Sequence, residues 1–138
     1  MATWLMDTAL FGTLASPKAK GLRNWLEAND ASVFLSAASL TEIAAGIGKV
    51  PLNQQQRRDA LRGWLEDLAS SYADRIHPVD TETALRAGAL MGGVQSGYIR
   101  HRFHDAVLLA TAQIHGHGLL TRRDGVFGPW TKVHIATP

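Results

Sequence analysis

The stretch RFHDAVLLATAQIHGHGLLTRRDGVFG, residues 102–128, decides the fold. From Asp105 to His115 it is apolar nearly all round, the pattern of a helix buried on every side rather than along one stripe. Gly116 to Gly118 interrupts that run, and Gly118 to Thr121 then reads as a short buried strand. A buried helix feeding directly into a buried strand is one half of a βαβ unit, whose strands lie parallel in a sheet covered on both faces. Yet a carboxylate stands at each end of this unit, Asp105 where the helix opens and Asp124 beyond the strand. Either the two acids close secondary structure, or they meet in space around something positive.

Outward from this stretch the same alternation recurs. Strands are expected at Thr3 to Met6, Val33 to Ser36, Arg75 to Val79, Gly118 to Thr121 and Lys132 to Ile135. Helical patterns fill the intervals. Leu22 to Ala28 carries Leu22, Trp25 and Leu26 on one face, and a second helix runs from Ser39 to about Lys49. Gln54 to Tyr72 places Leu61, Trp64, Leu65, Leu68 and Tyr72 on a single stripe, and Thr81 to about Val94 is rich in Ala and Leu. Gly-Lys-Val-Pro at 48–51, His77-Pro78, Gly92-Gly93 and the glycines at 116–118 supply the stops. In such a fold ligands bind beyond the carboxyl ends of the strands, near the point where strand order reverses. Asp7 directly follows the first strand, Glu42 comes six residues after Ser36, and Asp124 follows the fourth strand. Asp105 joins them if its helix begins at the same rim.

Bulk composition narrows the chemistry. A chain of 138 residues can bury a core without staples, and with no cysteine it has neither disulfides nor thiolate-bound zinc. The opening MATWLMDTALF lacks the basic and long apolar segments of a signal peptide, and no run approaches a membrane span, so a cytoplasmic protein away from membranes is expected. Lys and Arg exceed Asp and Glu by only 14 to 12, but they cluster: Arg57, Arg58 and Arg62; Arg100 and Arg102; Arg122 and Arg123. Such clusters permit an acidic partner without requiring one. No zinc-binding histidine spacing, nucleophile elbow or phosphate-cradling glycine loop occurs. Carboxylates are the chemistry on offer.

Each acid also has a purely structural reading. Ser39-Leu40-Thr41-Glu42 fits a capping box, in which the glutamate reaches back to the first helical N–H. Asp105 suits the first turn of a helix through the dipole, and Asp7 could cap a short helix beginning at Thr8. Asp124 precedes Gly125 in a strong turn signal, and Asp80 reads as an N-cap with Glu82 in the turn behind it. What these readings leave open is why several acids should fall at one rim.

Four short pieces, in order, carry a likeness to a known family. They are Leu5-Met6-Asp7-Thr8, then Leu35-Ser36 through Leu40-Thr41-Glu42 with Gly46, then Asp105-Ala106 through Ala110-Thr111-Ala112, and Leu120-Thr121-Arg122. Their spacing resembles that of the PIN-domain ribonucleases, specifically the VapC-type toxins of bacterial toxin–antitoxin pairs, over nearly the whole chain. The resemblance implies one PIN-like domain over residues 1–138, a three-layer sandwich whose central, mostly parallel sheet is covered by helices on both faces. It implies Asp7, Glu42 and Asp105 as catalytic, metal-binding carboxylates for Mg²⁺ or Mn²⁺, with Thr8 and Thr121 as supporting hydroxyls. It implies single-stranded or loop RNA as substrate, tRNA among the candidates, together with a VapB-type antitoxin and a homodimer. Arg100, Arg102, Arg122 and Arg123 are then the cations expected to hold flanking phosphates.

The chain departs from the family pattern in two places. Ala9 stands where Asn usually follows Asp-Thr; later, Arg123 and Val126 replace an Asn and an acid. Asp124 lies two residues before Val126 and becomes a supporting acid only if that loop is rearranged. These changes keep alive a second expectation, a PIN-like fold that has lost efficient catalysis and acts as a binding protein. A receiver-like signalling module is the third, but the lysine it needs after a late strand is missing beyond Thr121.

Overall fold

Five short segments extend into strands, and all five fall within the stretches expected. They are β1 (Trp4–Met6), β2 (Val33–Ser36), β3 (Ile76–His77), β4 (Gly118–Thr121) and β5 (Val133–Ile135). β3 is shorter than expected: a 3₁₀ turn over Ala73–Arg75 takes its first residue, and the strand ends before Pro78, which has no N–H to give a ladder. The computed structural model describes residues 2–14, 17–92 and 103–123, and the backbone of 133–135. Arg100, Arg102, Asp124 and Val126 lie outside the described residues.

The strands form one sheet in the order β3-β2-β1-β4-β5, and every pairing is parallel. Successive side chains then separate the two faces. Leu5, Phe34 and Leu119 point to one layer, where they meet α5 (Thr81–Gly92) and α6 (Phe103–His115). Met6, Val33, Leu35 and Leu120 point to the other, against α1 (Ala9–Leu14), α2 (Lys20–Asn29), α3 (Ala37–Gly48) and α4 (Gln55–Ser71). All four residues of β4 are buried, as expected of a strand covered on both faces. From Asp105 to Ala112, α6 is buried without interruption, as its all-round apolar pattern requires.

Local chemistry sets the ends of these helices. Gly116 takes φ +70°, and the His117 N–H returns 2.8 Å to the Ala112 carbonyl, so α6 closes in a left-handed glycine cap. Asp80 caps α5, accepting from both the backbone N–H and the hydroxyl of Thr83. Two expectations change. The Ser39–Glu42 capping box does not form, because α3 begins at Ala37 and its N-cap is Ser36, whose hydroxyl accepts from the Ala38 N–H at 3.1 Å. The stripe on α4 is not core either: none of its residues is fully buried, and Trp64 is 38% exposed. Leu68 and Tyr72 pack towards the sheet, but Leu61 and Trp64 face a cavity instead.

Candidate active site

The strand order reverses between β1 and β4, and a ligand site is expected beyond their carboxyl ends. Asp7 leaves β1 there, and Thr121 and Arg123 leave β4 beside it. α6 runs back antiparallel to the strands, so its first turn brings Asp105 to the same rim. Both acids are buried, Asp7 at 1% and Asp105 at 5% exposure. They form the floor of a cavity of about 1160 Å³ walled by Phe11, Ile43, Ile47, Leu61, Trp64 and Phe103.

Asp7 is held on three sides. The Thr121 hydroxyl donates to its Oδ2 at 2.7 Å, the Ala9 N–H to its Oδ1 at 3.3 Å, and its own N–H bonds the Leu120 carbonyl at 2.9 Å. It therefore caps the start of α1, as one reading of the sequence expected, while its carboxylate also faces the cavity. Arg123 completes the shell. Its Nε and Nη2 donate to Asp7 Oδ2 and Oδ1, both at 2.8 Å. The same Nη2 donates to Asp105 Oδ1 at 2.8 Å, and Nη1 reaches Asp105 Oδ2 at 3.3 Å. Hydrogen bonding to Asp7 raises the guanidinium pKa further, against the effect of burial, so the group is a permanent cation. Arg123, read in the sequence as a phosphate contact, is bound to both acids. Like charges gathered at this rim do carry a compensating cation, and the chain supplies it.

Glu42 lines the same cavity but stands apart from the acid pair. Its side chain is 47% exposed, and one oxygen lies 3.3 Å from His104 Nε2. His104 in turn bonds the Thr8 hydroxyl at 2.8 Å, and Thr8 bonds the buried Ser39 hydroxyl at 2.6 Å. The Thr8 hydroxyl is thus bonded to Ser39 and His104, whereas Thr121 contacts Asp7 directly. Arg122 is exposed and outside this network. Sequence reasoning missed His104 and Ser39 as site residues. The only signal was position, since His104 precedes Asp105 in the first turn of α6, and Ser39 occupies the first turn of α3 once Ser36 is recognised as its cap.

The family model of the PIN domain matches residues 8–128. The chain belongs to the PIN-domain family. No curated protein matches it significantly, but solved structures of this PIN domain's fold do. A chain of FitAcB from Neisseria gonorrhoeae superposes with a TM-score of 0.81 at 24% identity, covering 95% of this chain and 96% of that one. A chain of the DNA-bound VapBC of Salmonella typhimurium gives 0.77 at 17% identity, covering 99% and 100%. A toxin–antitoxin complex from Klebsiella pneumoniae gives 0.63 at 27% identity, covering 98% of each chain.

The donor set of this PIN domain suits a hard divalent cation. Mg²⁺ commonly takes one or two carboxylates and keeps waters for its remaining positions. Asp7 and Asp105 present four carboxylate oxygens to one point, the point where Arg123 now places its charge. Among the described residues no cluster of three or more His, Asp and Glu side chains is assembled in this conformation. None of the described helices is long and apolar enough to cross a membrane.

Proposed function

We propose that this PIN domain is a ribonuclease toxin of the VapC type, acting in the cytoplasm on single-stranded or loop RNA with Mg²⁺ or Mn²⁺. The observation that carries the reading is the burial of Asp7 and Asp105 side by side at the floor of an open cavity, at the strand-order reversal. Arg123 offsets only one of the two buried charges, and the cavity beside them has room for a nucleotide. A bound divalent ion would supply a water of lowered pKa and neutralise charge on the phosphoryl oxygens. Asp7 and Asp105 would hold that ion, and Thr121 fixes the Asp7 carboxylate in place. Glu42, paired with His104 at the cavity wall, would orient or deprotonate the attacking water. Arg122, exposed beside the site, would hold a flanking phosphate; Arg100 and Arg102 are assigned the same role from sequence. A VapB-type antitoxin is the proposed partner, because the complexes of similar fold pair a toxin with an antitoxin. A homodimer is proposed with it.

The test is cleavage of a mixed tRNA pool by purified protein with Mg²⁺ or Mn²⁺, with and without EDTA. Asp7→Asn and Asp105→Asn keep side-chain size and remove charge, so both should abolish cleavage. Equal activity in wild type and both variants would remove the assignment. The second reading, a binding protein with weakened catalysis, is favoured by one observation: Arg123 already pairs with both acids.

A further inference from the structure

We infer that Arg123 is a built-in competitor for the cation site: its guanidinium and a divalent ion hold the Asp7–Asp105 pair by turns. The inference rests on the metal-binding reading of that pair. Its basis is that Arg123 donates to both oxygens of both carboxylates, Asp7 at 2.8 and 2.8 Å and Asp105 at 2.8 and 3.3 Å. Those are the oxygens a hard cation would use, and two cations cannot share them.

The geometry shows which partner yields. The Asp7 and Asp105 side chains are almost wholly enclosed, one leaving a central strand and the other in the first turn of a buried helix. Asp7 is fixed besides by Thr121 and the Ala9 N–H. The Arg123 side chain is 31% exposed and lines the cavity. Its backbone N–H is tied to the Thr121 hydroxyl at 2.9 Å, so the head can leave while the main chain stays. A guanidinium is weakly hydrated for a cation and loses little on re-entering the acid pair. Charge sets the direction of exchange. Two carboxylates and one guanidinium leave a net single negative charge, whereas a divalent ion cancels both. The arginine keeps the acids from facing each other uncompensated when metal is scarce, and it raises the metal concentration at which the site fills.

The test is Mn²⁺ titration of the full chain by calorimetry and by loss of the free-Mn²⁺ EPR signal. Arg123→Met keeps length and removes charge; Arg123→Lys keeps charge and loses the fork. Arg123→Met should bind Mn²⁺ at least about tenfold more tightly than wild type, and Arg123→Lys should stay close to wild type. A wild-type measurement covers the case in which Arg123→Met does not fold. In ¹⁵N-arginine NMR the Arg123 Nε–H signal should shift with Mg²⁺ at the midpoint of Mg²⁺ binding; a signal unmoved at saturation overturns the inference. If wild type binds Mn²⁺ and folded Arg123→Met binds no more tightly, the competitor role fails while the metal-dependent reading stands. If Arg123→Met binds and wild type does not up to millimolar Mn²⁺, exchange by turns is overturned, because Arg123 then holds the pair permanently, and the metal-dependent activity of wild type falls with it. If neither binds, both fall.

Discussion

The Thr121 hydroxyl donates a 2.7 Å hydrogen bond to Asp7 Oδ2 across 114 residues of chain. The two residues leave neighbouring parallel strands, with Met6 paired to Leu120, so the register of β1 on β4 sets this contact. A shift of one residue would turn the hydroxyl to the opposite face. Thr121 accepts at the same oxygen from the Arg123 N–H, which links the strand end to the residue that bridges both acids.

Thr121→Val should therefore act on the site more than on the core. The swap keeps shape and removes one donor from a buried carboxylate, a loss of about 1 kcal/mol, or roughly 3 °C of melting temperature in a domain of this size. Activity should fall at least about tenfold, because Asp7 loses the bond that orients it. Thermal denaturation and RNA cleavage on the same preparation decide it; full activity with the expected melting shift would confine Thr121 to a structural role.

Glu42 and Ser36 separate cleanly, because Ser36 rather than Ser39 caps α3. Ser36→Ala should lower stability by about 1 kcal/mol, the usual loss at an N-cap. Glu42→Gln should leave the melting temperature nearly unchanged, since its carboxylate is half-exposed and surface ion pairs contribute little. Cleavage by Glu42→Gln should drop sharply. Retained cleavage would return Glu42 to the role of a partner for His104.

Saturating Mn²⁺ should raise the melting temperature. Binding to the folded state alone stabilises it by about 2.7 kcal/mol at a hundredfold excess over Kd. Asp7→Asn should blunt the shift, and so should Asp105→Asn. A wild-type melting curve indifferent to millimolar Mn²⁺ would argue against a metal site of useful affinity.

Acid should weaken the fold through a second cluster, away from the site. His117 is buried, with Nε2 2.8 Å from His77 Nε2 and Nδ1 2.6 Å from the Thr3 hydroxyl. His115 stacks on His77 at 3.7 Å. Burial, then the proximity of His77 and His115, pushes the His117 pKa down from 6.5 to about 4. A histidine whose folded pKa is depressed binds protons more readily when unfolded, so its contribution is complete above pH 6.5 and is lost as pH falls from 6.5 towards 4. His117→Gln should flatten that segment of the stability curve in urea unfolding. An unchanged slope between pH 6.5 and 4 would assign the acid sensitivity to other groups.

Much of the fold is legible because its strongest signals are local. The buried run from Ala106 to Ala112, the Gly116 stop and the four-residue strand behind it follow from hydrophobic period and turn chemistry. Asp7 could be placed at the rim because it directly follows β1, whereas Asp105 reached it only on the condition that its helix begins there. The α4 stripe misleads for a physical reason: amphipathic period reports an apolar face but not what that face meets. Leu61 and Trp64 line the cavity wall, and Trp64 meets the Phe11 ring edge-on at 6.1 Å.

By itself the sequence determined the strand–helix alternation of a parallel, doubly covered sheet and the position of Asp7 just beyond its first strand. These depend on near-neighbour patterns that do not need the rest of the chain. Only the tertiary structure decided what stands between the carboxylates. Arg122 and Arg123 are identical residues side by side, yet one is exposed and the other spans Asp7 and Asp105. Which of the two turns inward is set by the alternation of side chains leaving β4 and by the position of α6 above it. Electrostatic pairing is decided by distance in space, and neither distance is written in the spacing of residues along the chain.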